Sequence, residues 1–217
     1  MIREILDIYN RNWAQILTWS IVIILPVTIF SFLTMIFINI SEDLIAPHYF
    51  TSLVFVINFI ICIPPFVKMV LKDEQDELLH PIEGIAQFIQ QFGFLLLFTA
   101  SFYFIGFIGM YLLFIPTIFA LFVMLIFPFF SDSKSVKEVF VRTIEAIAKE
   151  NVALFGDLLI ILSINFGIWA TVMLFFSQYD NNMLAYLIIR VVLNILILPF
   201  VYIYLTLRYR VDGQFSK

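Results

Sequence analysis

From Phe92 to Phe130 the chain carries no acidic or basic side chain, and Gly106, Gly109 and Pro116 punctuate the middle of the run. An α-helix crosses the hydrocarbon core of a bilayer in about 20 mostly apolar residues. The run is too long for one crossing and suits a tight hairpin with Gly109 to Pro116 at its tip. Four further apolar segments are long enough to cross, so six spans are expected: Trp13–Ile40, Phe50–Val70, Phe92–Met110, Leu112–Phe130, Val152–Phe176 and Leu184–Leu207. Composition agrees. Hydrophobic residues make up 63% of 217 positions and charged residues 13%, against roughly 45–50% and about 25% in a soluble domain. The expected fold is an all-α integral membrane bundle forming a single membrane domain.

The net charge of −4 is small and bases are mixed with acids, which excludes nucleic acid as a partner. Cys62 is the only cysteine, so no disulfide or thiolate metal site can be built from it. The N-terminal stretch MIREILDIYNRNW contains acids, and no small-residue cleavage motif closes the run behind it. That run reads as a retained span rather than a removed signal peptide. Basic residues set the orientation. Arg3 and Arg11 precede the first span, Lys68 and Lys72 follow the second, Lys134, Lys137, Arg142 and Lys149 lie between the fourth and fifth, and Arg208, Arg210 and Lys217 follow the sixth. The opposite connectors hold only acids, histidine and neutral residues. Both termini are therefore expected in the cytoplasm.

Between the fourth and fifth spans, Val136, Val139, Phe140, Thr143, Ile144 and Ile147 fall on one helical face. Lys137, Glu138, Arg142, Glu145 and Lys149 take the other, with Glu138–Arg142 and Glu145–Lys149 at the favourable i,i+4 spacing. An interfacial helix feeding directly into a span is expected. Ile5-Leu6-Asp7-Ile8 and Ile85-Ala86-Gln87-Phe88 occupy places equivalent to Ile144-Glu145-Ala146-Ile147. Three repeats of interfacial helix plus hairpin are thus expected over residues 1–72, 73–132 and 133–210. Each unit ends near a proline: Pro65, Pro128 and Pro199. Proline removes a backbone donor and clashes one turn back, giving either a hinge or a plain kink whose freed carbonyls find other partners.

Polar residues inside apolar spans are the ligand-binding candidates. Arg190 lies about two turns inside the outer end of the sixth span. A charge at that depth faces a cavity or a partner, as in an anion or headgroup site, or it snorkels to the outer headgroups. Asp157, near the inner end of the fifth span, is its possible counter-charge or a hydrated interfacial acid. Asn58, Asn165 and Asn194 fall near the middle of their spans, with Asn194 one turn from Arg190 on the same face. Such amides bind a polar substrate or join helices by hydrogen bonds. The acidic run from Lys72 to Gly84 lacks the ligand pattern of a calcium loop and reads as a solvated connector. No nucleophile–base pair, metal-ligand spacing or phosphate-binding glycine loop is present in the sequence. No catalytic residue, cofactor or metal site is assigned.

Leu113-Phe114-Ile115-Pro116 opens one span, Phe127-Pro128-Phe129-Phe130 closes it, and Val136–Asn151 follows as an amphipathic segment before Leu154-Phe155-Gly156. This order resembles a bacterial multi-span family that includes the membrane domain of glycerophosphodiester phosphodiesterases and its small stand-alone relatives. The resemblance covers about a quarter of the chain. Thr117 stands where the family commonly has glycine in an I-P-G opening. It implies a helical domain of a bacterial cell membrane and no catalytic residues, because the family's chemistry belongs to a separate soluble domain. The proline motifs here lack the acid that follows proline in mitochondrial carriers, which excludes that family. The expected role is transport or transport accessory, with a lipid-like or anionic ligand and with membrane lipids and an ABC-type ATPase or permease subunit as partners. The alternative is a lipid-interacting scaffold or assembly factor that transports nothing.

Overall fold

The computed structural model describes residues 2–40, 47–112, 114–133, 135–149 and 182–211, together with Gly156, Ile160, Ser163, Gly167 and Leu174. Every regular element among them is helical. In chain order these are α1 (Ile2–Arg11), α2 (Trp13–Ile40), α3 (His48–Asp73), α4 (Pro81–Gly109), α5 (Ile115–Phe130), α6 (136–149) and α7 (Met183–Arg210). Among the described residues, α2, α3, α4 and α7 are long and apolar enough to cross a membrane. The expected fifth span, with Asp157 and Asn165, lies outside the described residues apart from five isolated positions.

Local chemistry explains the helix boundaries. Pro81 opens α4, where its missing N–H costs nothing, and the His80 ring nitrogen accepts from the Ile82 N–H at 3.4 Å. Asn182 caps α7, its side-chain oxygen accepting from Leu184 and Ala185 at 3.1 and 3.3 Å. Between α4 and α5 the N–H groups of Met110, Tyr111 and Leu112 reach back to Phe107, Ile108 and Gly109 at 3.2, 3.1 and 2.9 Å. Phe114 then takes a left-handed conformation, φ 62°, and α5 starts. The two helices meet closely. A methyl group at Gly109 would stand 2.7 Å from the Thr117 amide nitrogen, and the Thr117 hydroxyl donates to the Gly106 carbonyl at 2.7 Å.

Prolines shape the long helices. Pro26 would clash with the carbonyl one turn back, and α2 opens into a wider turn over Ser20–Ile24, with the Leu25 N–H bonded to Ser20. In α3 the helix is interrupted at Cys62, just before Pro64 and Pro65. Pro128 lies in the tighter Phe127–Phe130 turn that ends α5. Pro199 sits inside α7 without interrupting it. Of the three expected proline positions, Pro65 follows a helix interruption, Pro128 lies at a change of helix type, and Pro199 lies at neither.

Two of the expected interfacial segments are described in detail. The second interfacial helix and the third span form one uninterrupted helix of 29 residues. Ile82 to Phe92 holds no proline or turn sequence to break it, and Gly84 lets α4 lie directly on the buried Trp19 ring. The apolar face of α6, in turn, is packed in part against α4. Phe140 packs against the stacked Phe98 and Phe102 rings of α4 with ring centroids 5.1 and 5.9 Å away, and Val139 and Thr143 are buried. Val136 and Ile144 remain exposed.

The core lies toward one end of the bundle. Ile60 through Val67 of α3 are all buried, as are Val123 through Phe130 of α5. Trp19, Ile23 and Ile24 of α2 and Leu198, Tyr202 and Ile203 of α7 complete this region. Trp19 meets Phe66 edge-on at 5.6 Å and donates its indole N–H to the Pro81 carbonyl at 3.0 Å. Toward the other end α2 contributes Met35 and Ile38 and α5 contributes Ala120.

Candidate functional site

A polar seam runs where α2, α3 and α7 meet. α2 buries Thr28, Ser31, Met35 and Ile38, a spacing that places them along one stripe of the helix. α3 supplies Phe55 and Asn58, and α7 supplies Arg190 and Asn194 one turn apart. The Asn194 amide donates to the Thr28 hydroxyl at 3.0 Å and to the Asn58 side-chain oxygen at 3.4 Å. Asn58 in turn donates to the Ser31 hydroxyl at 3.1 Å. One turn farther from the core, Arg190 is only 7% exposed. Its Nη1 lies 3.5 Å from the Met35 sulfur, and its guanidinium sits 5.2 Å over the Phe55 ring.

On the core side the seam is closed. Tyr202 donates its hydroxyl to the Phe59 carbonyl at 2.6 Å and packs its ring against Phe59 and Phe66. A polar group entering the seam would meet a cation, two amides and two hydroxyls, with an aromatic wall beneath.

The structure thus brings together Arg190, Asn194 and Asn58, while Asp157 and Asn165 lie outside the described residues. Thr28, Ser31, Met35 and Phe55 were not singled out from the sequence. Hydroxyls are common in membrane helices because they can bond their own backbone, so only their spacing along α2 carried a signal.

The charged residues collect at the core end. Arg11 bonds both carboxylate oxygens of Asp73, with Nε 3.2 Å from Oδ1, and Asn12 donates to the same Oδ1 at 2.7 Å. The hydrogen bond to Asp73 raises the Arg11 guanidinium further above its ordinary range. Glu83 accepts from Lys72 at 3.2 Å and lies 3.6 Å from Lys68. Arg210 donates to the Phe129 carbonyl at 2.6 Å and to Asp132 at 2.7 Å. Asp73 at the end of α3, Glu83 in the first turn of α4 and Asp132 after α5 are therefore paired with bases of this chain. At the opposite end the contacts among the described residues are neutral: Asn39 donates to Thr51 at 3.2 Å, and Tyr103 donates to the Tyr49 carbonyl at 2.8 Å and contacts Ser52.

Two open-sided apolar grooves flank the seam. One of about 510 Å³ lies between α2, α3 and α4. The other, about 420 Å³, lies between α1 and α7 beside Ile160. No family model, curated protein or solved structure matches the chain.

Proposed function

We propose that this is a six-span protein of a bacterial cell membrane, with both termini cytoplasmic, acting in transport or as a transporter's accessory. Its ligand is a lipid-like or otherwise anionic molecule held by Arg190 and Asn194. The observation that carries this reading is the placement of Arg190, a buried cation in an apolar helix beside a hydrogen-bonded polar seam. Charge inside a membrane is costly and is retained where it binds or pairs. The seam is closed on the core side by Tyr202, whose ring packs on Phe59 and Phe66, so the ligand would enter from the other side.

The orientation rests on the bases Arg11, Lys68, Lys72, Arg208 and Arg210 gathered at the core end, which the positive-inside tendency assigns to the cytoplasm. The sequence holds no nucleotide-binding motif, so an ATPase or permease subunit would supply the energy. The likeness to the membrane domain of glycerophosphodiester phosphodiesterases agrees with a domain that binds and leaves chemistry to a partner. A lipid-scaffold reading draws on the exposed Ile2 and Leu6 of α1 and Val136 and Ile144 of α6, which could seat in the inner leaflet.

Gentle-detergent purification followed by mass spectrometry of retained molecules separates the two. The transport reading expects a stoichiometric anionic molecule lost from Arg190→Ala and partly kept in Arg190→Lys. An identical bound set in wild type and Arg190→Ala, with both proteins folded, would favour the scaffold.

A further inference from the structure

Prolines stand at one level in the three helices that form the seam. Asn58 and Phe66, eight residues apart on α3, meet Asn194 and Tyr202, eight apart on α7. That register sets the α3 interruption at Cys62 level with Leu198, beside Pro199. On α2, Ser31 meets Asn58 and Trp19 meets Phe66, which sets Pro26 and the end of the wide turn opposite the same place. Pro26, Pro64, Pro65 and Pro199 bring no N–H to the helix ladder, so the carbonyls of Val22, Ile60, Ile61 and Ile195 receive no bond from four residues on. Backbone support is thus thinned in all three helices within about one turn, 5.4 Å, of one level. By contrast α4 carries no proline from Ile82 to Gly109 and runs through as one helix.

This level divides two kinds of packing. On its core side Trp19, Phe66 and Tyr202 are fully buried. On its other side lie the polar groups of the seam, where α2, α3 and α4 are bonded to one another: Ser31 to Asn58, Asn39 to Thr51, and Tyr103 to the Tyr49 carbonyl. Among the described residues α7 joins this block through the Asn194 amide, shared between Thr28 at 3.0 Å and Asn58 at 3.4 Å, and through Arg190 against Met35 and Phe55. A membrane hydrogen bond of average strength shifts an equilibrium only about threefold.

We propose that the half of α7 from Met183 to Leu198 is a gate over the seam, hinged at Pro199 and latched by Asn194. Opening breaks the bonds of Asn194 to Thr28 and Asn58 and draws Arg190 off Met35 and Phe55, which uncovers the polar side chains of α2 and α3. The core side stays shut behind Tyr202. From Leu184 to Pro199 the arm is about 22 Å long, and a tilt of about 20° at the proline moves its tip by about 8 Å. What the gate admits rests on the anionic-ligand reading of the seam, whereas the motion does not.

Spin labels on the intact protein in lipid nanodiscs read the motion without a ligand. The unsubstituted chain, whose one cysteine is buried, sets the labelling background. Ile108→Cys with Leu184→Cys spans the neutral ends of α4 and α7, and Ile82→Cys with Val201→Cys spans their core ends; the first three positions are exposed and Val201 is half-buried. Pulsed electron-resonance distances are expected to show two populations for the first pair, separated by roughly the tip displacement, and one population for the second. Asn194→Leu is expected to raise the longer population about three- to tenfold, and Pro199→Ala to abolish it. A single short distance in both wild type and Asn194→Leu, equal spreads at both ends, or an unchanged longer population in folded Pro199→Ala would overturn the gate. Asn194→Leu keeps the test decisive should Pro199→Ala not fold. Two populations in a protein whose bound molecules are the same in wild type and Arg190→Ala would uphold the gate and remove the anion reading.

Discussion

At the core end of the bundle, Asp73 holds Arg11 and Asn12 together, Glu83 meets Lys72, and Arg210 reaches Asp132 across a filled interior. At the neutral end, the corresponding fastenings are an amide on a threonine and a tyrosine on a backbone carbonyl. Partly exposed ion pairs contribute about 0–1 kcal/mol and neutral hydrogen bonds about 0.5–1.5 kcal/mol, so it is the filled interior beneath the ion pairs that distinguishes the core end. Among the described residues the same helices are thus joined by ion pairs over a filled core at one end and by neutral bonds at the other. Arg190 stands on the side of the core away from the ion pairs.

The largest expected effect comes from attacking the filled end. A side chain at Gly84 would overlap the Trp19 ring, which is fully buried and bonded to Pro81. Overpacking costs about 1–3 kcal/mol and the lost hydrogen bond about 1 kcal/mol. Gly84→Leu is therefore expected to cost about 3 kcal/mol, or to prevent folding. Gly93 of the same helix has no neighbour within 4 Å of a built methyl group. Gly93→Ala is expected to be neutral or to stabilise by about 0.5–1 kcal/mol. Thermal unfolding in one detergent compares the two, and equal melting temperatures would remove the contrast between a packed and an open face of α4.

Asp73 probes the ionic fastening. Its side chain is 6% exposed while that of Arg11 is 60% exposed, so the full cost of stranding a buried charge does not apply. Asp73→Ala is expected to destabilise by about 1–2 kcal/mol. Faster proteolysis between α1 and α2 would accompany it, because Asn12 at that junction loses the same partner. A melting temperature within error of wild type would mean that the clamp holds nothing.

These contrasts were unevenly legible in the sequence. Helical class, apolar length and the reversal near Gly109 follow from runs of residues, because lipid leaves a backbone few alternatives. Arg190, Asn58 and Asn194 stood out as polar residues in apolar surroundings, but their meeting depends on how α2, α3 and α7 pack. Thr28 and Ser31 gave only a spacing. The bond between Trp19 and Pro81, 62 positions apart, joins residues that are ordinary in their own segments. Pro26 marks the wide turn of α2 only once the helix is known to continue through it. The α6 face read as amphipathic could meet lipid or protein equally well, since Phe98 and Phe102 present the same apolar chemistry as an acyl chain.

The seam lies between the two ends and can be tested as a unit. Asn58→Leu and Asn194→Leu each remove one partner of the 3.4 Å contact and break a second bond to Ser31 or Thr28. Interhelical hydrogen bonds in membranes average about 0.6 kcal/mol and reach about 1.7 kcal/mol. Each substitution is expected to cost about 1 kcal/mol, with a coupling of a few tenths to about 1 kcal/mol in the double-mutant cycle. Strict additivity would show that the two amides share a space without sharing an interaction.

Salt offers the smallest and most selective lever. Lys72 and Glu83 have side chains 28% and 43% exposed, and pairs of that kind contribute about 0–1 kcal/mol. Raising ionic strength shortens the screening length from about 10 Å at 0.1 M to about 3 Å at 1 M, so the loss in Lys72→Met is expected to shrink by a few tenths of a kcal/mol. The loss in Tyr103→Phe, which removes a neutral bond to the Tyr49 carbonyl, is expected to stay constant over the same range. Salt strengthens apolar burial in both variants alike, so the difference between their slopes isolates the ionic part. Parallel slopes would mean that the core end is held by packing around Trp19 and Phe66, with its ion pairs as solvent-exposed trim.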